Sequence, residues 1–240
     1  MLTMVRLKDI AQLIGVSVMT VSKALRDEPD VSAETKKKIK ALAQQLGYVP
    51  DSSAQGLRTK TTKLFGLVIP ATTNPVYGRM LFAIEERAYE LGYDVLIAQT
   101  LNASDREDAC LRRLLSRRVD GLFITPVYRF EAEARIYQEI AARKVPTVLL
   151  GPPAPFCRNF ISIEIEETAA SFNVTRHLIG LGHRKIAYFT GPPAAPWAHE
   201  RFEGYRRALR EAGLEVDDKL VFAAGGTIED GAKAALQMLN

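Results

Sequence analysis

The sequence predicts an α + α/β protein: a small helical headpiece followed by an α/β core of parallel sheets in two lobes. Three patterns carry that prediction. The first fifty residues hold three short stretches of helical periodicity separated by Gly- and Ser-containing turns. From Lys63 onward, short apolar runs alternate with amphipathic stretches of helix length, the rhythm of βαβ units and a parallel sheet covered on both faces. A Pro- and Gly-rich break, Gly151-Pro152-Pro153-Ala154-Pro155, then interrupts the rhythm. The expected organisation is a headpiece over residues 1–50, a hinge over 51–62, an N-terminal lobe over 63–155 and a C-terminal lobe over 156–240.

In the headpiece, Leu7, Ile10, Ala11 and Ile14 recur at helical spacing, so a helix is expected from Leu7 to about Leu13. Gly15 suits the tight turn that follows. Ser17 is placed to cap a second helix, Val18 to Leu25. Two helices joined by so tight a turn make a helix-turn-helix, with small Ala11 letting them approach and Val21 filling the space between. A third helix begins at Ser32 and Glu34, carries the stripe Ile39, Leu42, Ala43 and Leu46, and ends at Gly47. The second helix presents Ser17, Val18, Met19, Thr20, Ser22 and Lys23 as candidate DNA-binding residues. Its first turn would face base edges in a major groove, and its hydroxyls and lysine would reach phosphate or guanine. A small helical protein-interaction module fits the same spacing.

The net charge of +4 sits in this region. Residues 1–60 hold 10 Lys/Arg against 6 Asp/Glu, and residues 61–240 hold 22 of each. A basic segment on a neutral body fits a polyanion partner, or a solvated charged face. No run of about 18 apolar residues suggests a membrane span. The start, Met1 to Arg6, lacks the apolar stretch of a secretory signal. Two cysteines, Cys110 and Cys157, form neither a disulfide framework nor a metal-ligand spacing; Cys110 is expected in the core and Cys157 in a loop. A cytoplasmic protein with no membrane partner is expected.

Pro50 stops the third helix, and Asp51 to Arg58 has the length of two helical turns, marginal alone in water and weakened further by Gly56. It reads either as a segment that orders on DNA or as a plain linker with Leu57 packed on the body. In the core, strands are expected at 64–69, 95–98, 121–124, 147–150, 161–163, 186–189 and 220–223. Helices are expected at 78–91, 106–116, 131–143, 168–179, 200–212 and 228–239. Ligands of such sheets bind beyond the carboxyl ends of the strands. The loops there, 71–77, 125–128, 151–155 and 191–201, hold Asn74, Tyr77, Thr125 and Arg201. Together these offer an amide, an aromatic face, a hydroxyl and a guanidinium, a set suited to a polyhydroxylated effector.

The residues Leu7-Lys8-Asp9-Ile10-Ala11, Gly15-Val16-Ser17, Thr20-Val21-Ser22-Lys23-Ala24-Leu25, Val31-Ser32-Ala33-Glu34-Thr35 and Leu46-Gly47-Tyr48-Val49-Pro50 closely resemble the headpiece of the lactose-repressor (LacI) family. In the core, Ile69-Pro70 with Asn74-Pro75-Val76-Tyr77, Val119-Asp120-Gly121-Leu122, Leu181-Gly182-His183-Arg184-Lys185-Ile186-Ala187 and Arg201-Phe202-Glu203-Gly204-Tyr205 extend the resemblance along nearly the whole chain. It implies a transcriptional regulator, usually a repressor, that binds a near-palindromic double-stranded DNA operator as a homodimer. It implies a core like the periplasmic sugar-binding proteins, two lobes around a sugar-like effector that Arg201 grips. It also implies that Leu57 wedges into a minor-groove base step, and that closure of the lobes changes the spacing of the paired hinges.

Several residues depart from the family pattern. Arg6 stands where many members have a Thr that caps the first helix, Gly56 replaces a better helix former, and Val76 replaces an aromatic. Glu166-Glu167 replaces a frequent Asp-Asn, and Gly226 stands near a position often aromatic. The family chain normally continues beyond the position of Asn240, so the resemblance implies an incomplete second lobe. No G-x-x-x-x-G-K-[ST] loop, no G-x-G-x-x-G after a strand and no G-x-S-x-G elbow occurs. His177, His183 and His199 read as structural, and the adjacent pairs Glu85-Glu86 and Glu166-Glu167 do not make a facing acid/base pair. No enzyme, catalytic residue, cofactor or metal site is expected.

Overall fold

The computed structural model describes residues 5–49 and 61–239. The chain divides into two compact units, Met1–Thr59 and Lys60–Asn240. In the first, α1 spans Leu7–Ile14, α2 Val18–Leu25 and α3 Ala33–Gln45. Gly15 adopts φ +77°, a left-handed turn that only glycine takes freely, and swings the chain from α1 into α2. Ser17 and Ser32 each cap a helix, accepting the N–H of Thr20 at 3.0 Å and of Thr35 at 3.3 Å. Arg6 offers α1 no side-chain cap, but the Asp9 carboxylate accepts the Arg6 N–H at 2.8 Å and ties down that start. Ile10, Ala11, Val21, Ala24, Ile39 and Ala43 form the buried centre of the three helices.

The second unit carries five parallel strands in the order β2-β1-β3-β4-β5. These are β1 Leu64–Ile69, β2 Asp94–Gln99, β3 Gly121–Ile124, β4 Thr147–Leu150 and β5 Ile161–Ile163. The connecting helices are α4 Pro75–Glu90, α5 Ser104–Ser116 and α6 Arg135–Ala142. Leu67 lies opposite Ile97 on one side and Phe123 on the other, so β1 is central, as its near-continuous burial requires. A second parallel sheet pairs β6 Tyr188–Thr190 with β7 Val221–Ala223. Around it lie α7 Glu167–Gly180, α8 Pro196–Glu211 and α9 Ile228–Leu239. At Gly204 the helices α7 and α8 approach so closely that a Cβ would meet the Thr168 carbonyl at 2.3 Å.

Three expectations are corrected. The second lobe was placed from residue 156, yet Ile161–Ile163 pairs with Val148–Leu150 in the first sheet. The Pro-rich break folds into a 3-10 turn, Pro155–Cys157, that keeps the chain against the first core, where Phe156 and Phe160 pack on Tyr137. Cys157 is buried there, its thiol pushed up to about 11 by burial, whereas Cys110 is only half-buried. Finally, Tyr77 lies on a helix, because α4 starts earlier than expected; α8 does too, so that Arg201, expected where loop and helix meet, stands a full turn inside it, and each helix has a proline at its first position. Proline has no N–H to lose there, and its φ suits the first helical turn.

Candidate nucleic-acid interface and ligand site

The cap at Ser17 fixes where α2 begins and therefore which side chains its first turn exposes. Val18 is 46% exposed and Met19 65%, on a helix whose opposite face, Val21 and Ala24, is fully buried. Apolar side chains in that first turn match the methyl groups that thymine presents in a major groove. The hydroxyls are already in local bonds: Thr20 Oγ1 lies 2.9 Å from Ser17 Oγ, and Ser22 Oγ accepts from Arg26 at 2.5 Å. Lys23 is ion-paired to Asp30, and the hydrogen bond from that lysine holds the Asp30 carboxyl below its usual range. On α3 the basic cluster is similarly engaged, Lys40 with the Asp27 carboxylate at 2.6 Å and Lys36 with the Asp27 carbonyl at 3.0 Å. Sequence reasoning missed Asp27, Asp30 and Arg26. The Ser22–Arg26 spacing of four was a local signal, whereas Asp30 meets Lys23 across the turn after α2, and Asp27 meets Lys36 and Lys40 only once α3 packs back on that turn. Leu57 falls outside the described residues.

In the α/β unit the order β2-β1-β3 makes the carboxyl ends of β1 and β3 a topological switch point, where chains leave toward opposite edges and open a crevice. Asn74 and Tyr77 follow β1, and Thr125 follows β3. Thr125 is held by its N–H on the Val68 carbonyl at 2.8 Å. It is 5% exposed, and its hydroxyl has no hydrogen-bond partner among the described residues. Asn74 caps α4, its Oδ1 accepting the Val76 N–H at 3.0 Å. The loop after β3 is braced by buried Glu107, whose carboxylate accepts from the Val127 N–H (2.8 Å), Tyr137 Oη (2.8 Å) and Arg129 (2.9 Å). Burial pushes the Glu107 carboxyl up against the pull of those donors.

Arg201 stands in the second turn of α8. Its charge acts on the Tyr77 phenol, countering the rise that burial imposes. Two parallel bonds join Arg201 to Glu167, Nε to Oε2 at 2.6 Å and Nη2 to Oε1 at 2.9 Å. The guanidinium also stacks 4.6 Å from the Trp197 ring centroid. The hydrogen bond with Glu167 raises the Arg201 pKa further. Tyr128, its phenol pushed up by burial, donates to the Pro152 carbonyl at 2.9 Å. A largely apolar cavity of about 420 Å³ adjoins, lined by Val174, Leu178, Tyr188 and Arg201 among others. Of the four residues expected here, Tyr77 and Arg201 are linked only by the pull of the arginine's charge on the phenol, and no hydrogen bond joins them among the described residues. Asn74 and Thr125 share the strand ends but form no bond with either among the described residues. Glu167, Trp197, Tyr128 and Tyr188 were missed. Trp197 stands four residues before Arg201, a spacing that reads as a contact only once the helix is known to start at Pro196. Among the described residues no three His, Cys, Asp or Glu side chains gather as a metal site would need, and no helix is long and apolar enough to cross a membrane.

A helix-turn-helix unit followed by an α/β unit with a strand-end crevice defines a class, the ligand-responsive bacterial regulators. The chain matches "Bacterial regulatory proteins, lacI family" over residues 6–51 and "Periplasmic binding proteins and sugar binding domain of LacI family" over residues 62–240. It belongs to the LacI family. It is 32% identical to the ribose operon repressor of Escherichia coli (strain K12) over 237 residues, covering 99% of this chain and 71% of that one. It is 29% identical to the HTH-type transcriptional regulator DegA of Bacillus subtilis (strain 168), covering 97% and 68%. Among solved structures it is similar to the Lac repressor dimer bound to operator and the anti-inducer ONPF, with TM-score 0.79, 26% identity and coverage of 99% and 71%. It is also similar to the transcriptional regulator CelR in complex with cellobiose, with TM-score 0.65, 26% identity and coverage of 98% and 70%. The chain therefore spans about 70% of the length of these relatives.

Proposed function

We propose that this chain is a sequence-specific transcriptional regulator, a repressor that binds a near-palindromic operator as a homodimer and responds to a small sugar-like effector. The observation that carries the DNA-binding part is α2, a Ser17-capped helix with one face locked in the core and Val18 and Met19 held out at its first turn. In this reading Ser17, Val18, Met19, Thr20, Ser22 and Lys23 form the DNA face, and Leu57 adds a minor-groove contact on the strength of the resemblance alone. The operator-bound Lac repressor and the cellobiose-bound CelR support the two halves of the reading. Asn74, Tyr77, Thr125 and Arg201 contact the effector. The unpartnered Thr125 hydroxyl supports this, because a buried polar group without a bond is costly and a ligand hydroxyl would satisfy it. The protein acts in the cytoplasm and catalyses no reaction, with a headpiece, a hinge and two lobes as its working parts.

Selection from a genomic pool of promoter fragments tests the first half. One preferred, near-palindromic site is expected, with affinity falling steeply as salt rises, because phosphate contacts release counterions. No preferred site would refute the proposal. For the second half, Arg201→Ala should abolish the effector response and leave operator binding intact. Loss of both would mean that the substitution had unfolded the unit.

A further inference from the structure

The pairing of Arg201 with Glu167 bears on what that site accepts, and the inference rests on the effector reading above. Glu167 is the first residue of α7 and is 9% exposed, whereas the Arg201 side chain is 47% exposed. The carboxylate is thus the buried partner and the guanidinium the one a ligand can meet. Both carboxylate oxygens are taken, at 2.6 and 2.9 Å, by the Nε and Nη2 edge. That edge is one of the two on which a guanidinium binds phosphate or carboxylate in bidentate fashion. Trp197 covers one face of the same group. A guanidinium has five N–H donors. The three that remain, two on Nη1 and one on Nη2, are free to donate to an incoming ligand, and what turns them toward uncharged hydroxyl oxygens is the charge that Glu167 already balances. The charge balance points the same way. Glu167 neutralises Arg201, and the neighbouring Glu200 carboxyl is pushed up by burial and by the carboxylates of Glu167, Glu164 and Glu166. An anion arriving beside Arg201 would meet carboxylates, and pulling the arginine away would strand a buried one.

We infer that Glu167 sets the charge selectivity of the effector site. By pairing with Arg201 and balancing its charge it makes that arginine a donor to hydroxyls, so the site takes uncharged polyols and rejects their phosphorylated forms. Glu167 is a specificity and positioning residue, acting through Arg201.

The test uses the full chain, thermal-shift assays and calorimetry with a panel of neutral sugars, their 6-phosphates and inorganic phosphate. The wild type should bind at least one neutral sugar and neither its 6-phosphate nor inorganic phosphate. Glu167→Gln, nearly the same shape without the charge, should gain phosphate binding and shift preference toward the phosphorylated sugar by about tenfold or more. Glu167→Asp, which keeps the charge, should retain the wild-type preference. A purely structural tie between α7 and α8 would change stability in the Gln variant and leave the preference unmoved, which would overturn the inference. So would a wild type that binds the phosphorylated sugar as well as the neutral one, a measurement that needs no variant. Neutral-sugar binding that is lost in Arg201→Ala upholds the effector site whatever the Gln variant does, so the two failures are separable. A wild type that binds no neutral sugar overturns both.

Discussion

In the headpiece the proposed recognition residues, Ser17 to Lys23, occupy consecutive positions on one turn and one helix. In the α/β unit Asn74, Tyr77, Thr125 and Arg201 come from separate segments spread over more than a hundred residues, and their partners come from further elements still. The contrast has a physical basis. The face of α2 is decided by local events, a left-handed Gly15, a Ser17 cap and the burial of Val21 and Ala24 against α1 and α3. The ligand site is decided by strand order, which places the ends of β1 and β3 side by side, and by the tie from α8 to α7. Local placement tolerates change elsewhere in the chain. Non-local placement does not.

The largest effect that could break this contrast comes from the headpiece core. Ile39 is fully buried at the centre of the three helices. Truncating it to alanine should cost about 2–5 kcal/mol. At roughly 0.05–0.15 kcal/mol per residue, that equals most of the stability available to so small a unit. Ile39→Ala should therefore melt the headpiece and abolish operator binding, while the thermal transition of the α/β unit and its response to sugar stay as they were. Calorimetry and a gel shift on the same sample check this. If both units shifted together, they would not be the independent bodies that the comparison requires.

The same contrast explains what could be read in advance. The bounds of α2, the Gly15 turn and both serine caps follow from near neighbours, so the sequence pattern showed them. Strands β1, β3, β4 and β5 were equally plain as apolar runs. What β5 pairs with was not, because Ile161 meets Val148 only after the chain folds through the turn at Cys157. Pro75 and Pro196 look like loop residues when they are the first residues of helices, and so the sequence puts Tyr77 in a loop and Arg201 at the junction of loop and helix. Glu167 showed itself only as a departure from a family pattern. Its partner lies 34 residues away, and no spacing rule reaches that far.

A smaller effect sharpens the DNA side. Lys23 is paired with Asp30 in the headpiece as it stands, so it must leave that carboxylate to reach a base. Lys23→Ala should weaken operator binding by about 1–3 kcal/mol and relax the sequence preference at the position it reads. Asp30→Asn removes the competing partner, and operator affinity should then hold or rise. Competition binding with single-base operator variants distinguishes the two. If Lys23→Ala leaves affinity and preference untouched, the lysine does not read a base and its bond to Asp30 is its whole role.

The smallest effect separates the two units by pH and salt. Asp27 and Asp30 in the headpiece are held low by exposed lysines, Lys40 and Lys23, and interactions of that kind fade as salt rises. Asp120 in the α/β unit is held differently. Burial alone would raise its carboxyl, but it accepts from the Thr61 hydroxyl, from the Thr62 N–H at 2.9 Å and from the Lys63 N–H at 3.0 Å, and the donors prevail. A carboxyl lowered on folding contributes stability that is complete above its unfolded pKa, about 3.9, and is lost as pH falls through the folded value. Asp120→Asn keeps one acceptor oxygen and should cost about 1 kcal/mol at neutral pH. The difference from wild type should shrink as pH falls below about 4, where the carboxyl of the unfolded chain protonates first and that of the folded protein follows at lower pH. It should barely change with added salt, since the donors are backbone N–H groups and a hydroxyl rather than mobile cations. Urea melts of both proteins at pH 7 and pH 3, each at low and high salt, would show it. A gap that vanished with salt at pH 7 would mean that Asp120 acts as a surface charge, like the headpiece aspartates, and that this difference between the units is not real.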